Sequence, residues 1–279
     1  MLLVAWIGFT IEIILARQLS ADLGIAQIAF IRILIQAVIL LPWMVRDRGA
    51  VWRTQKLGLH AFRSACSASG MVLFYVAFVL LPMAVATTLT FTQALFLTLL
   101  AALVLGERLG PRRIGATLVG FLGVIVVTRP GAQVIEPGML AALGCALVTA
   151  LLMLCTRLLG RTESRLTIMC YISLFSIIYL GGPAWWTWQP IGWEHVGWLL
   201  LLGVSATAAQ FLMVGAFVMG EASALAPIDY VRLVYAAIAG YIVFGEVPDA
   251  WTWAGSAIII ASALYIAYRE QVVAAARTA

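Results

Sequence analysis

Residues 220–246 read GEASALAPIDYVRLVYAAIAGYIVFGE, and this stretch decides how the rest of the chain is interpreted. It is apolar over roughly the 20 residues that a bilayer-spanning helix needs, yet it contains Pro227, Asp229 and Arg232. Each charge costs on the order of 3 kcal/mol in hydrocarbon, so both side chains are expected to face protein or a watery cavity. Pro227 lacks a backbone N–H, which predicts a break in the helix beside the charges.

A second stretch, LPMAVATTLTFTQALFLTLLAALVLGE at residues 81–107, has the same pattern 139 positions earlier. Both stretches end in Gly-Glu. At this offset Gln93 takes the place of Arg232, and Thr90 takes the place of Asp229. The sequence therefore predicts two copies of one structural unit, spanning residues 1–130 and 131–279.

Composition points to a membrane protein. The 279 residues are 64% hydrophobic and 10% charged, with a mean hydropathy of +1.06, which is outside the range of soluble globular proteins. The apolar runs are longer than the roughly 10 alternating residues of a barrel strand, so they are expected to be helices. The four cysteines form no CxxC or Cys/His cluster, and no metal or cofactor is expected.

Ten apolar spans are predicted, five in each unit. Because five is odd, the second unit is expected to cross the membrane inverted relative to the first, as in alternating-access transporters. The predicted fold class is an all-α polytopic membrane protein with ten transmembrane helices in two inverted five-helix repeats. The spans are Leu2 to Leu19, Ile25 to Val45, Leu59 to Leu80, Met83 to Leu105, Ile114 to Thr128, Gly138 to Leu158, Leu166 to Thr187, Val196 to Met219, Ala222 to Phe244, and Trp251 to Tyr268.

Basic residues predict the orientation. Thirteen of the 17 Lys and Arg residues follow even-numbered spans, and only Arg17 and Arg129 lie on the opposite side. By the positive-inside rule both termini are cytoplasmic, in the cell's inner membrane. The same bias explains the net charge of +5 without a nucleic-acid partner. Met1 is followed by apolar residues with no basic leader, which does not fit a secretory signal peptide; a native start upstream of Met1 stays open.

The sequence resembles the EamA branch of the drug/metabolite transporter superfamily. The resemblance rests on the ten spans, on Arg32 in FIRILIQAVILLP, on the block that ends in LGERLGPRRIGATLVGFLGVIVV, and on SALAPIDYVRLVYAAIAGYIVFGEV in the second half. The Ala-Pro-x-x-Tyr pattern is most similar to importers of S-adenosylmethionine or riboflavin, whereas other members of the superfamily export amino acids. The resemblance implies a carrier for a small organic molecule.

The candidate substrate-binding residues are the charges at membrane depth and the polar or aromatic groups beside them. Asp229 and Arg232 line a cavity or form a structural ion pair, and Arg32 has a structural or gating role as its alternative. Glu12 is a candidate for proton coupling, for binding a cationic cargo group, or for a satisfied buried carboxylate. The predicted set is Glu12, Arg32, Thr90, Gln93, Asp229, Tyr230, Arg232 and Tyr235.

A secondary transporter driven by a gradient or by exchange fits these features best, because the sequence has no phosphate-binding loop. The expected partners are the lipid bilayer, a small cargo that is planar or zwitterionic, and a coupling proton or counter-substrate. The chain is expected to be a monomer or a homodimer. The alternatives are an amino-acid or drug exporter, a channel, and a partner subunit without carrier activity. A membrane enzyme is disfavoured because His60 and His195 lie near opposite ends of their spans.

Overall fold

The computed structural model describes residues 1–46, 54–105, 111–129, 136–160, 162–219 and 230–278. Within these ranges the chain forms helices and no strand. The helices are α1 (Leu2–Leu19), α2 (Ile25–Arg46), α3 (Leu57–Leu80), α4 (Met83–Thr90), α5 (Gln93–Leu105), α6 (Pro111–Thr128), α7 (Pro137–Leu159), α8 (Arg165–Trp186), α9 (Trp193–Met219), α10 (Val231–Phe244) and α11 (Ala250–Thr278).

The predicted all-helical membrane fold is confirmed. In the described part of the chain, eight helical segments are long and apolar enough to cross a membrane, and two shorter apolar helices cover Ile114–Thr128 and Val231–Phe244. Large apolar side chains such as Leu103 and Ile242 are more than 70% exposed, which is expected of surfaces that face lipid. Arg63 is one of the thirteen basic residues counted as following even-numbered spans, but it lies inside α3 and is buried. The other twelve still outnumber Arg17 and Arg129 on the opposite side.

The predicted span from Met83 to Leu105 is confirmed as one candidate span over Met83–Val104, but its helix is interrupted at Phe91 and Thr92, which divides it into α4 and α5. The Thr90 hydroxyl donates to the carbonyl of Thr87 at 2.7 Å, and the Thr92 hydroxyl donates to the carbonyl of Leu89 at 2.6 Å. These hydroxyls compete for carbonyls of the helix and loosen its regular ladder. In the predicted span from Ala222 to Phe244, the described helix begins at Val231 and the residues before Tyr230 lie outside the described ranges.

Packing joins the front of the chain to its back. α1 packs against α9, α2 against α8, α3 against both α7 and α8, and α6 against α11. In addition, α4 contacts α10, α5 contacts α7, and α1 contacts α10. Every large interface therefore joins one helix from residues 1–130 to one from residues 131–279, so the space between the halves is enclosed by both.

The small residues of α6 and α11 are used for close packing within the chain. A Cβ added at Gly123 would lie 3.0 Å from the carbonyl oxygen of Gly255, so the two backbones approach each other closely. The Ser262 hydroxyl on α11 also donates to the carbonyl of Ala116 on α6. The backbones of α6 and α11 are therefore in close contact within the chain.

Asp249 caps the start of α11. Its Oδ1 accepts the backbone N–H of Thr252 at 2.8 Å and the Thr252 hydroxyl at 2.6 Å, and Oδ2 binds the guanidinium of Arg129. Hydrogen bonds from Thr252, with a smaller contribution from Arg129, lower the pKa of the Asp249 carboxyl. The carboxylate is therefore charged at neutral pH and stabilises the first turn of α11.

The Gly-Glu pair at the end of α10 ties three helices together. Gly245 has φ of +68°, so the chain reverses and the N–H of Glu246 returns to the carbonyl of Gly240 at 3.0 Å. The Glu246 carboxylate then accepts the N–H of Met83, the first residue of α4, at 2.7 Å and pairs with Arg17 at the end of α1. Glu246 therefore binds a backbone donor where α4 begins; its counterpart Glu107 lies outside the described residues.

Gly245→Ala is expected to destabilise the protein by about 1 kcal/mol, because an L side chain is strained at positive φ. The matched control is Gly115→Ala in α6, where a Cβ meets nothing within 4 Å and no positive φ is required. Thermal unfolding in detergent, followed by tryptophan fluorescence, compares the two. A midpoint that falls for Gly115→Ala but not for Gly245→Ala would contradict this account of the turn.

Candidate functional site

A cavity of about 330 Å³ lies between the two halves of the chain. α1, α2, α3 and the α4–α5 segment contribute its lining from the first half, and α7, α9 and α10 contribute from the second. Apolar and aromatic side chains form most of the wall, which is typical of sites for organic ligands. The charged and long polar lining residues are Glu12, Arg32, Gln93, Gln210 and Arg232.

Glu12 on α1 is a buried and partnered carboxylate. It is 3% exposed, which agrees with the alternative of a satisfied buried carboxylate. Its Oε1 accepts the hydroxyl of Tyr75 on α3 at 2.6 Å and lies 3.2 Å from Nε of Arg32 on α2. One carboxylate oxygen thus links α1, α2 and α3 at the cavity wall, which offsets the cost of burying both charges.

Arg32 extends the same network into the second half. Its Nη1 donates to Oε1 of Gln36 at 3.2 Å, and Nη2 donates to Oε1 of Gln210 on α9 at 3.3 Å. Nε2 of Gln36 in turn lies 3.4 Å from the hydroxyl of Ser173 on α8. The guanidinium therefore connects helices from residues 1–130 with helices from residues 131–279, so this network spans the interface around the cavity.

Arg232, in the first turn of α10, is held by aromatic rings. Its Cζ lies 4.3 Å from the ring centroid of Phe91, at the α4–α5 break, and 5.2 Å from that of Trp6 on α1. Such cation–π contacts are worth about 2 kcal/mol or more when desolvated. They hold the guanidinium at the cavity wall, where its Nε and Nη2 have no acceptor among the described residues.

Of the remaining predicted residues, two line the cavity, two pack outside its lining, and one lies outside the described residues. Thr90 and Gln93 line the cavity, although the Thr90 hydroxyl already donates to the carbonyl of Thr87. Tyr230 packs against Phe91 with ring centroids 4.8 Å apart, and Tyr235 packs against the cluster of Leu2 and Trp6. Neither tyrosine is part of the cavity lining, which continues along α10 to Ala236 instead. Asp229 lies outside the described residues.

The structure adds residues to the site that the sequence reasoning did not select. Gln36 and Gln210 bind Arg32, and Trp6 packs against Arg232. A glutamine inside an apolar span is itself a signal, because its amide needs a hydrogen-bond partner there. Trp6 lies near the start of α1, where tryptophan is ordinarily interpreted as an interfacial anchor, so sequence alone gave it no distinguishing mark. Among the described residues, no three His, Cys, Asp or Glu side chains form a group that could hold a metal ion.

The architecture and the cavity lined by charged side chains define a multi-pass membrane protein with an internal cavity between its halves. The chain belongs to the EamA-like transporter family, whose model matches residues 1–129 and 136–268. It is therefore a transporter and not an enzyme, which confirms the resemblance drawn from the sequence.

Relatives with different cargo match nearly the whole chain. An S-adenosylmethionine uptake transporter of Rickettsia bellii is 30% identical, covering 92% of this chain and 89% of its own. A riboflavin transporter of Vibrio cholerae is also 30% identical, with coverage of 96% and 92%. A pseudopaline exporter of Pseudomonas aeruginosa is 26% identical, with 94% of both chains covered. These relatives support a small-molecule cargo.

A protein of known crystal structure has the same fold. It superposes with a TM-score of 0.60 at 18% identity, over 94% of this chain and 95% of the other. At this level of identity the similarity concerns the arrangement of helices alone.

Glu12→Ala is expected to destabilise the protein by about 3 kcal/mol, because it leaves the Arg32 guanidinium buried without its counter-ion. Adding Arg32→Met to Glu12→Ala should restore part of the loss, since the orphaned charge is then removed. Thermal unfolding in detergent measures both effects.

Asp249→Asn is the control for this comparison. It also neutralises a carboxylate that pairs with an arginine, but the Asp249 side chain is 41% exposed, so about 1 kcal/mol or less is expected. Equal losses for Glu12→Ala and Asp249→Asn would show that the buried pair has no special weight.

Proposed function

We propose that this protein is a secondary transporter that moves a small organic metabolite across the inner membrane by alternating access. The cavity between residues 1–130 and 131–279 is the cargo site, and rocking of the two halves opens it to one side at a time. The observation that carries the proposal is the cavity itself, because both halves line it and both supply charged or polar side chains to it.

The proposed halves are inverted five-helix repeats that make ten membrane spans. The helix pairings support this, since exchanging each span of one half for its counterpart in the other leaves the pattern of interfaces unchanged. The pairing of α3 with α7 becomes that of α9 with α1, while α2–α8 and α6–α11 map onto themselves. The match of the family model in two segments agrees with the same division. The basic residues favour cytoplasmic termini.

The break after α4 also agrees with the repeat. α5 begins at Gln93 and α10 begins at Val231, so at the offset of 139 residues the two helices start within one position of each other. Each copy then brings its polar side chain, Gln93 or Arg232, to the cavity in the first turn of a helix. Broken helices at the midplane between two repeats are typical of carriers of polar cargo.

The cargo proposed from the relatives is a planar or zwitterionic metabolite such as S-adenosylmethionine or riboflavin, taken up into the cell. The alternative is export, which the pseudopaline exporter represents among the relatives. The cation–π contacts of Arg232 and the aromatic wall of the cavity suit a cargo that has both a charged group and a flat one. Glu12 stays a candidate for proton coupling, a role that would require its bonds to Arg32 and Tyr75 to loosen during transport.

Reconstitution tests the proposal. Liposomes that contain the purified protein and unlabelled S-adenosylmethionine or riboflavin are expected to accumulate the same compound, radiolabelled and added outside, faster than protein-free liposomes. Amino acids form the third group of the panel. An absence of counterflow and of gradient-driven uptake for every compound, together with ion currents in a planar bilayer, would favour a channel instead.

Alternating access also predicts that the outer contact of Glu246 must open. Glu246 joins the second half to Arg17 and Met83 of the first, at the end that the positive-inside rule places outside. In a background without native cysteines, a bismaleimide that links Arg17→Cys to Glu246→Cys is expected to abolish counterflow. Each single-cysteine variant treated with the same reagent is the control. Full transport in the linked protein would contradict rocking at this interface.

A further inference from the structure

We propose that the indole N–H of Trp6 and the guanidinium of Arg232 form a subsite that binds a carboxylate group of the cargo. The inference rests on the proposed transport function and specifies the chemistry of the molecule carried. It starts from three buried hydrogen-bond donors, Nε1 of Trp6 and both Nε and Nη2 of Arg232, which have no acceptor in the described part of the chain.

The donors lie on one part of the cavity wall. Trp6 and Arg232 both line the cavity, and Cζ of Arg232 is 5.2 Å from the Trp6 ring centroid. Trp6 is only 8% exposed, and its indole nitrogen is buried from water. A buried donor without a partner is costly, and more so when it is charged. A ligand that presents an acceptor here would therefore remove a penalty that the empty site carries.

The arrangement favours a carboxylate over a neutral acceptor. Nε and Nη2 are neighbouring donors in one guanidinium plane, and their spacing matches the two oxygens of a carboxylate. A negative charge also compensates the arginine in a site of low dielectric, which a carbonyl group does not. Of the described lining residues, Glu12 supplies a carboxylate, but that group is already bound by Arg32 and Tyr75.

Phe91 and the ring of Trp6 act as positioning residues for this subsite. Cζ of Arg232 lies 4.3 Å from the Phe91 ring centroid and 5.2 Å from that of Trp6, so both rings hold the guanidinium at the cavity wall through cation–π contacts. Trp6 thus has two functions, because its ring face holds Arg232 and its N–H donates to the cargo. The consequence for specificity is that a metabolite with a carboxylate, such as S-adenosylmethionine, is favoured over riboflavin, which has none.

A probe of the Trp6 N–H tests the subsite without knowledge of the cargo. Protein labelled with ¹⁵N at the tryptophan indoles is titrated with benzoate and, separately, with benzamide, its neutral isostere. The resonance of Trp6, identified by its loss in Trp6→Phe, is expected to move downfield with benzoate and to respond at least tenfold more weakly to benzamide. Equal responses, or no response to benzoate, would overturn the proposal.

Variants of the two residues separate binding from folding. Trp6→Phe keeps the ring face but removes the N–H, so it is expected to weaken benzoate binding about tenfold, the effect of losing one hydrogen bond to a charged group. Arg232→Lys keeps the charge but removes the paired Nε and Nη2 donors of the guanidinium. Arg232→Gln removes the charge as well and should abolish the benzoate response of Trp6. Thermal unfolding confirms that each variant is folded; a variant Arg232→Gln that is folded and still responds fully would contradict the proposal.

Uptake assays distinguish this inference from the proposed function. In liposomes, S-adenosylmethionine is expected to compete for uptake at least tenfold better than its decarboxylated analogue, and Trp6→Phe should reduce that preference. Uptake without a preference and without a Trp6 response would remove the subsite and leave the transporter. A Trp6 response to benzoate without uptake of any compound would support the subsite and remove the transport function.

Discussion

The buried contact between Glu12 and Arg32 is the interaction on which the site depends. A charge at membrane depth is tolerated only when protein surrounds it and an opposite charge or hydrogen bonds accompany it. Glu12 meets this condition through Tyr75 and Arg32, and Arg32 meets it through Glu12, Gln36 and Gln210. The ion pair and its hydrogen bonds to Tyr75 and Gln36 lie within residues 1–130, and Gln210 adds a hydrogen bond from the second half, so the network also joins the two halves beside the cavity.

Two local features, the turn at the end of α10 and the break between α4 and α5, position residues of the two halves against each other by different interactions. At the end where α10 stops, Gly245 turns the chain and lets the Glu246 carboxylate bind Arg17 and the N–H of Met83. At the α4–α5 break, threonine hydroxyls take up backbone carbonyls and present Phe91 to Arg232. The first feature joins the two halves through an ion pair and a backbone hydrogen bond, and the second holds a cation against aromatic rings. Both features use short sequence signals, Gly-Glu and Thr-x-Thr, in otherwise apolar spans.

The sequence predicted the all-helical membrane fold because apolar run length, charge distribution and repeated motifs are local properties. It also selected Glu12, Arg32, Thr90, Gln93 and Arg232, all of which line the cavity. It did not predict the break at Phe91 and Thr92. The hydropathy of a threonine is the same whether its hydroxyl binds a carbonyl of its own helix or another group, so hydropathy gives no sign of such a break.

The sequence also missed Trp6, whose contact with Arg232 joins residues far apart in the chain and depends on how α1 and α10 pack. Tyr235 was selected as a binding residue and lies three residues from Arg232, yet it packs outside the cavity lining. The site therefore follows from sequence as a set of charges at membrane depth, whereas its aromatic and amide partners follow only from the packing of helices.

The central claim is that two units of opposite orientation enclose the charged cavity, and the locations of two matching loops test it most directly. Single cysteines replace Arg112 and Asp249 in a protein whose native cysteines are serines, and cells are treated with a maleimide that does not cross the inner membrane. The account predicts that Asp249→Cys reacts in intact cells and that Arg112→Cys reacts only after the membrane is permeabilised. Reaction of both cysteines from the same side would contradict it.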